Sequence, residues 1–158
     1  CVSTADCVPV LLHDPVHGVI AAVHAGWRGT VENIVSHTLQ VMRETYATLP
    51  EEVYAIIGPC ISLDAFEVGI EVYDAFADAG FDMAQIAQWH PEKEKYHIDL
   101  PKANRLQLMA AGISAEAIHD CAICTYTHHR DFFSARRLGI KSGRILNGIM
   151  LNDLEIRS

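Results

Sequence analysis

The strongest constraint in this chain is a pair of short apolar runs, residues 8–13 and 19–24, separated by Asp14-Pro15 and Gly18. Both runs carry β-branched residues and the spacer carries turn residues, so they are expected to form two strands joined by a turn. A sheet started this way needs cover for its faces. Apolar residues at Val31, Ile34, Val35, Leu39, Val41 and Met42 fall at helical spacing, with Thr30 as the expected N-cap and Pro50 beyond the end. Residues 53–57 read as a buried strand stopped by Gly58-Pro59, 68–79 as a helix ending near Gly80, and 96–100 as a short strand. Residues 102–111 form a strong helix, with Pro101 in its first turn and Gly112 past its end. Ser114 is placed to cap a short helix, and 118–125 and 145–151 read as strands. The polar stretch 88–95, with Pro91 inside it, reads as a surface loop. The expectation is a single α+β domain over residues 1–158, a mixed β-sheet with flanking helices.

Charge narrows the function classes. Twelve Lys and Arg against twenty Asp and Glu leave a formal charge of −8. That disfavours nucleic acid as a partner, because phosphate backbones demand concentrated positive charge. A small anion held by one or two arginines stays compatible. The apolar runs fall far short of the roughly eighteen residues of a spanning helix, so no membrane partner is expected. Five cysteines make an odd number without a disulfide framework, which points to a reducing, cytoplasmic setting. The chain opens on Cys1-Val2-Ser3-Thr4 with no initiator Met, and an N-terminal segment is expected to be missing.

Three places could carry chemistry. Cys7 heads the first strand and His24 ends the second, so a hairpin would set them side by side, about 5 Å between neighbouring strands. A thiol beside an imidazole suits a nucleophile–base pair or two ligands of a zinc site. The same pair also fits a buried cysteine and a satisfied core histidine. After it comes His24-Ala25-Gly26-Trp27-Arg28-Gly29-Thr30, a glycine-bracketed turn into a helix start. Small residues there let backbone amides approach an anion, Arg28 offers a guanidinium fork, and Trp27 offers a ring for stacking. A tight turn with an exposed arginine is the plainer reading. Near the C-terminus, Cys121-Ala122-Ile123-Cys124 lies in a strand-like run where positions three apart face opposite ways, which favours structural cysteines over a redox pair. Phe132 and Phe133 are expected to anchor the following loop to the core and to aim Arg136 or Arg137 into a site. Cys60 reads most simply as a small buried residue. His90, His97 and His119 have no partner by spacing.

Several strings together are similar to one family: Thr4-Ala5-Asp6-Cys7-Val8-Pro9-Val10, His24-Ala25-Gly26-Trp27-Arg28-Gly29, Gly58-Pro59-Cys60-Ile61, Phe66-Glu67-Val68-Gly69, Asp99-Leu100, Cys124-Thr125-Tyr126 and Phe132-Phe133-Ser134-Ala135-Arg136-Arg137. The chain resembles the laccase-domain purine nucleoside phosphorylases, long described as multicopper polyphenol oxidases, in order from Cys1 to about Leu151. The resemblance implies a cytotoxic necrotising factor-like α+β fold. It implies a single Zn2+ held by two histidines and one cysteine, with Cys7 and His24 matching two of those ligands. The remaining histidine of the family lies in an upstream segment that this chain does not contain. The implied activity is phosphorolysis of adenosine, inosine and methylthioadenosine, with adenosine deamination as a second reaction. The partners implied are purine nucleosides and phosphate. Arg28 and Arg136 are the candidate phosphate clamp, and Trp27 a candidate substrate contact. Two alternatives stand beside this one. The first is a metal-independent Cys–His hydrolase that trims peptidoglycan precursors, with Cys7 as nucleophile. The second is a copper-dependent polyphenol oxidase, which would need far more histidines together than the spacing offers.

Overall fold

A computed structural model describes residues 1–152. The early hairpin forms as its pattern demands. Strand β2 (Val8–Asp14) pairs antiparallel with β3 (Val19–Ala25) in a register that sets Val8 opposite Ala25 and Pro9 opposite His24. Strand β4 (Tyr54–Ile57) adds antiparallel to β2, and β8 (Ile118–Asp120) adds parallel to β4. The resulting four-stranded mixed sheet runs β3-β2-β4-β8.

The inward face of this sheet carries Val8, Val10, Leu12, Val23, Ala25, Ala55 and Ile57, all buried. Two helices cover it. Helix α2 (Ile34–Tyr46) buries Val35, Leu39 and Met42, which recur at helical spacing on one side. Helix α5 (Leu100–Ala110) buries Leu100, Ala103 and Leu108. Truncating Leu12 or Ile57 to Ala in so tight a core costs about 2–5 kcal/mol. The outward face is more open: Tyr54 and Ile56 are exposed beside half-buried Leu11 and Ala22. A two-stranded ribbon, β1 (Val2–Thr4) with β9 (Ile145–Asn147), lies at the Cys7 end.

The structure redraws three of the sequence expectations. The helix expected to start after Thr30 is two helices. Thr30 lies inside α1 (Trp27–Val31), capped by Gly26, and the chain breaks at Asn33 in the left-handed region (φ 58°) before α2 begins. The break is fixed from far away, since the Gln107 amide of α5 donates to Thr30 O (2.7 Å) and Asn33 Oδ1 (2.6 Å). The expected loop at 88–95 is instead a hairpin, β6 (Ala87–His90) with β7 (Lys95–Ile98), and β5 (Glu67–Val68) completes a second sheet in the order β5-β7-β6. Pro91 sits in its turn, where a missing N–H costs nothing. Helix α3 (Ile70–Asp78) packs on this sheet through Tyr73, stacked on Tyr96 at 4.0 Å. The strand expected over 118–125 ends at Asp120, because Ala122 takes a positive φ of 52°. Helix α5 matches its expectation closely, with the Asp99 carboxylate accepting the Lys102 N–H at 3.0 Å.

Candidate metal and substrate site

Cys7 and His24 meet at Gly26. A Cβ placed on Gly26 would lie 3.0 Å from Cys7 Sγ and 4.0 Å from His24 Nε2. The bare Cα therefore keeps open a small space onto which a soft sulfur and an imidazole nitrogen converge. His24 is exposed and Cys7 half-buried, so the space is reachable from solvent. Burial raises the pKa of the Cys7 thiol, the neighbouring Asp6 charge raises it further, and Arg144 pulls it partly back. Left to itself, Cys7 is a thiol at neutral pH.

Asp6 is a residue that the sequence pattern did not single out. It is buried and held at a left-handed φ of 83°. Its Oδ1 accepts the Thr125 hydroxyl and its Oδ2 accepts the Arg136 backbone N–H, both at 2.7 Å. Its carbonyl accepts the Ile61 N–H at 2.9 Å. One carboxylate thus ties the Cys7 turn to the loop that follows β8 and to helix α6 (Ala135–Leu138). It adds to the anchoring expected of the phenylalanines, of which Phe132 is half-buried. Phe133 is exposed and lies over Gly143, whereas Thr125 and Ser134 are fully buried.

The two candidate arginines rest on different supports. Arg28 is exposed, with its guanidinium carbon 4.2 Å from the Trp27 ring centre. Helix α1 has five residues, so its end offers an anion little field. Arg136 donates Nη1–H to Glu67 O at 2.8 Å and lies over Phe66. It lines a cavity of about 210 Å³ with Asp64, Glu67, Lys93 and Tyr126. Arg137 instead packs on Tyr126, with its guanidinium carbon 5.0 Å from the ring centre.

The remaining cysteines are free thiols, and they differ in character. Cys60 is buried, and that burial drives its pKa far up. Burial also raises Cys121. At Cys124 burial acts in the same sense, but hydrogen bonds from Ser62 and Thr127 outweigh it and the pKa falls. The Ser62 hydroxyl lies 3.1 Å from Cys124 Sγ.

A second group of donors sits at the other end of β2. Asp14, His17 and Glu52 each bring one ligand atom to within 4.8 Å of the others, a candidate metal-binding triad. Seven residues of strand separate it from Cys7, about 23 Å at strand rise.

Residues 1–152 match the family model described as multi-copper polyphenol oxidoreductase laccase. The chain belongs to this family. A purine nucleoside phosphorylase of Bacteroides thetaiotaomicron is 59% identical over 152 residues, covering 96% of this chain and 56% of that protein. Adenosine deaminase RL5, from an unknown prokaryotic organism, is 47% identical over 148 residues, covering 94% of this chain and 56% of its own. The crystal structure of YlmD from Geobacillus stearothermophilus superposes with a TM-score of 0.82 at 33% identity, covering 90% of this chain and 53% of that one. The mixed α+β, single-domain fold is thus that of the laccase family. The chain spans about half the length of the curated relatives it matches. Among the described residues, no helix is long and apolar enough to cross a membrane.

Proposed function

We propose that this chain carries the cysteine-and-histidine part of a zinc-dependent purine nucleoside phosphorylase with adenosine deamination as a second activity. The observation that carries this reading is the convergence of Cys7 Sγ and His24 Nε2 on the space above Gly26. A sulfur and an imidazole nitrogen are zinc-type donors, and the missing Cβ leaves them room. Cys7 and His24 would hold the ion, with the third ligand coming from outside this chain. When bound, zinc supplies a water of lowered pKa for deamination and an electrophile near the sugar for phosphorolysis.

The chain's own residues set the rest. Asp6 fixes the Cys7 backbone through the Thr125 and Arg136 hydrogen bonds, so the thiol is aimed before any ligand arrives. Trp27 braces the Arg28 guanidinium by stacking, which leaves its N–H edge free for a phosphate oxygen. Arg136 supplies a second positive charge. Asp64 and Glu67 line its cavity and temper its pull on an anion, so Arg28 is the stronger of the clamp. The acidic charge of the whole chain and its small cavities fit a nucleoside better than a polymer, and we assign a cytoplasmic setting.

The alternatives fare worse on specific grounds. A nucleophilic cysteine needs a lowered pKa, and burial and Asp6 move Cys7 the other way. Multi-copper oxidation needs histidines gathered together, and the group of three donors found among the described residues contains a single histidine.

The test is zinc content by mass spectrometry. It is measured on this chain and on a chain of the relatives' length, each with Cys7→Ala and His24→Ala variants. Stoichiometric zinc in the longer chain, lost in both variants, together with phosphate-dependent release of adenine, is the expected result. A folded longer chain that takes up no zinc and still turns over nucleoside would overturn the reading.

A further inference from the structure

We infer that Asp14, His17 and Glu52 form a second divalent-cation site, separate from Cys7 and His24, that clips the β2–β3 turn to the segment entering β4. Acceptors crowd the end of β2. Asp14 is fully buried, and its Oδ1 accepts the backbone N–H groups of Val16 (2.9 Å) and His17 (3.0 Å). Its Oδ2 lies 2.9 Å from His17 Nδ1. Glu52 Oε2, 4.0 Å from the same Nδ1, is buried without a hydrogen bond. The Thr48 hydroxyl, 1% exposed, lies beside the Asp14 carboxylate and helps to hold its pKa down.

Backbone N–H groups and the His17 ring serve the Asp14 carboxylate, so the unmet demand falls on Glu52 Oε2, which has only the His17 Nδ1 proton nearby, at 4.0 Å. A buried carboxylate oxygen without a donor is costly. A divalent cation in place of that single proton would engage Asp14 Oδ2, His17 Nδ1 and Glu52 Oε2 together. Oδ2 and Nδ1, 2.9 Å apart, would open by about 0.5 Å to sit as adjacent tetrahedral ligands at bonds of about 2.1 Å. Glu52, with its side chain about a third exposed, has the freedom to close the longer gap. One imidazole with oxygen donors suits zinc or a neighbouring transition ion rather than calcium.

The site is also accessible. Glu52 borders a cavity of about 430 Å³ shared with Pro15, Val16 and Tyr54, and His17 borders another of about 360 Å³. An ion there would join the hairpin turn to the 3-10 turn Pro50–Glu52. Its role would be structural, at the end of β2 away from Cys7.

The experiment removes the first site and asks for the second. A Cys7→Ser, His24→Ala protein is dialysed against Zn2+, and in parallel against Co2+, whose visible bands report coordination. One ion per chain is expected. Binding should weaken at least about tenfold in His17→Gln and again in Glu52→Gln, the scale that even outer ligand partners command. His17→Gln keeps the Asp14 backbone hydrogen bonds, so the turn survives, and circular dichroism checks this. Folded double-variant protein that binds no ion would overturn the inference. So would binding that is unchanged by both Gln substitutions.

Discussion

Asp6 and Arg136 stand 130 residues apart in sequence and 2.7 Å apart in space, carboxylate oxygen to backbone N–H. Because the acceptor is charged and buried, the bond is of the stronger kind, about 1.5–3 kcal/mol. Asp6→Asn preserves the left-handed backbone, which Asn tolerates, and removes the charge. We expect it to lower unfolding free energy in urea by about 1–3 kcal/mol. It should also weaken zinc binding at Cys7, because the thiol loses its brace. Unchanged zinc affinity would reduce Asp6 to a purely structural tie.

Gly26→Ala separates space from backbone. The φ of Gly26 is −72°, which any residue adopts, so the penalty comes from the 3.0 Å approach of the new Cβ to Cys7 Sγ. Stability should fall by no more than about 1 kcal/mol, a typical value for a single substitution. Zinc affinity should fall by an order of magnitude or more. Calorimetric metal titration beside a thermal melt reads both.

Arg28→Ala should divide the two proposed activities. Phosphorolysis needs bound phosphate and deamination does not. The KM for phosphate is expected to rise at least about tenfold, the scale of one lost charged hydrogen bond. Adenosine deamination should stay within about twofold. Equal losses in both rates would move Arg28 from phosphate to nucleoside.

Thiol chemistry should follow the local donors. Among Cys7, Cys60, Cys121 and Cys124, only Cys124 has its pKa lowered, against burial, by Ser62 and Thr127. Of these four, iodoacetamide at neutral pH should label Cys124 first and Cys60 last, read by peptide mass mapping. Ser62→Ala should slow Cys124 labelling.

Asp14 carries a pH signature. Burial raises its pKa, but the Thr48 hydroxyl beside it and the hydrogen bonds from His17 outweigh that, and the folded value lies below 3.8. A depressed carboxylate stabilises the fold fully above its unfolded value and loses that contribution as pH falls through the folded one. The stability gap between the protein and Asp14→Asn should therefore hold above about pH 5 and close in stronger acid. Denaturant melts across that range test it.

Local signals carried much of this molecule. The β2–β3 hairpin was legible because turn residues separate two apolar runs, and α5 because Pro101 and Gly112 mark its ends. The Cys7–His24 juxtaposition followed from the hairpin alone. Of the β6–β7 hairpin, β7 was legible as the run 96–100, but β6 was hidden because Trp89 is its one large apolar residue and is satisfied by an edge contact with Tyr96. The α1–α2 break was hidden because its cause, Gln107, lies far downstream. Asp6 escaped notice for the same reason, since a short-range pattern cannot show that an acidic residue will find Thr125 and Arg136.

The parallel pairing of β4 with β8, extended by parallel backbone pairing of residues 60 and 124, has a kinetic meaning. Everything from residue 58 to 117 must be looped out before that ladder closes, and long loops are closed late. The β2–β3 hairpin needs no such wait. On refolding, sheet signals should rise ahead of ligand binding, because Thr125 and Arg136 reach Asp6 only after β8 has docked. The chain would acquire its shape first and its competence second.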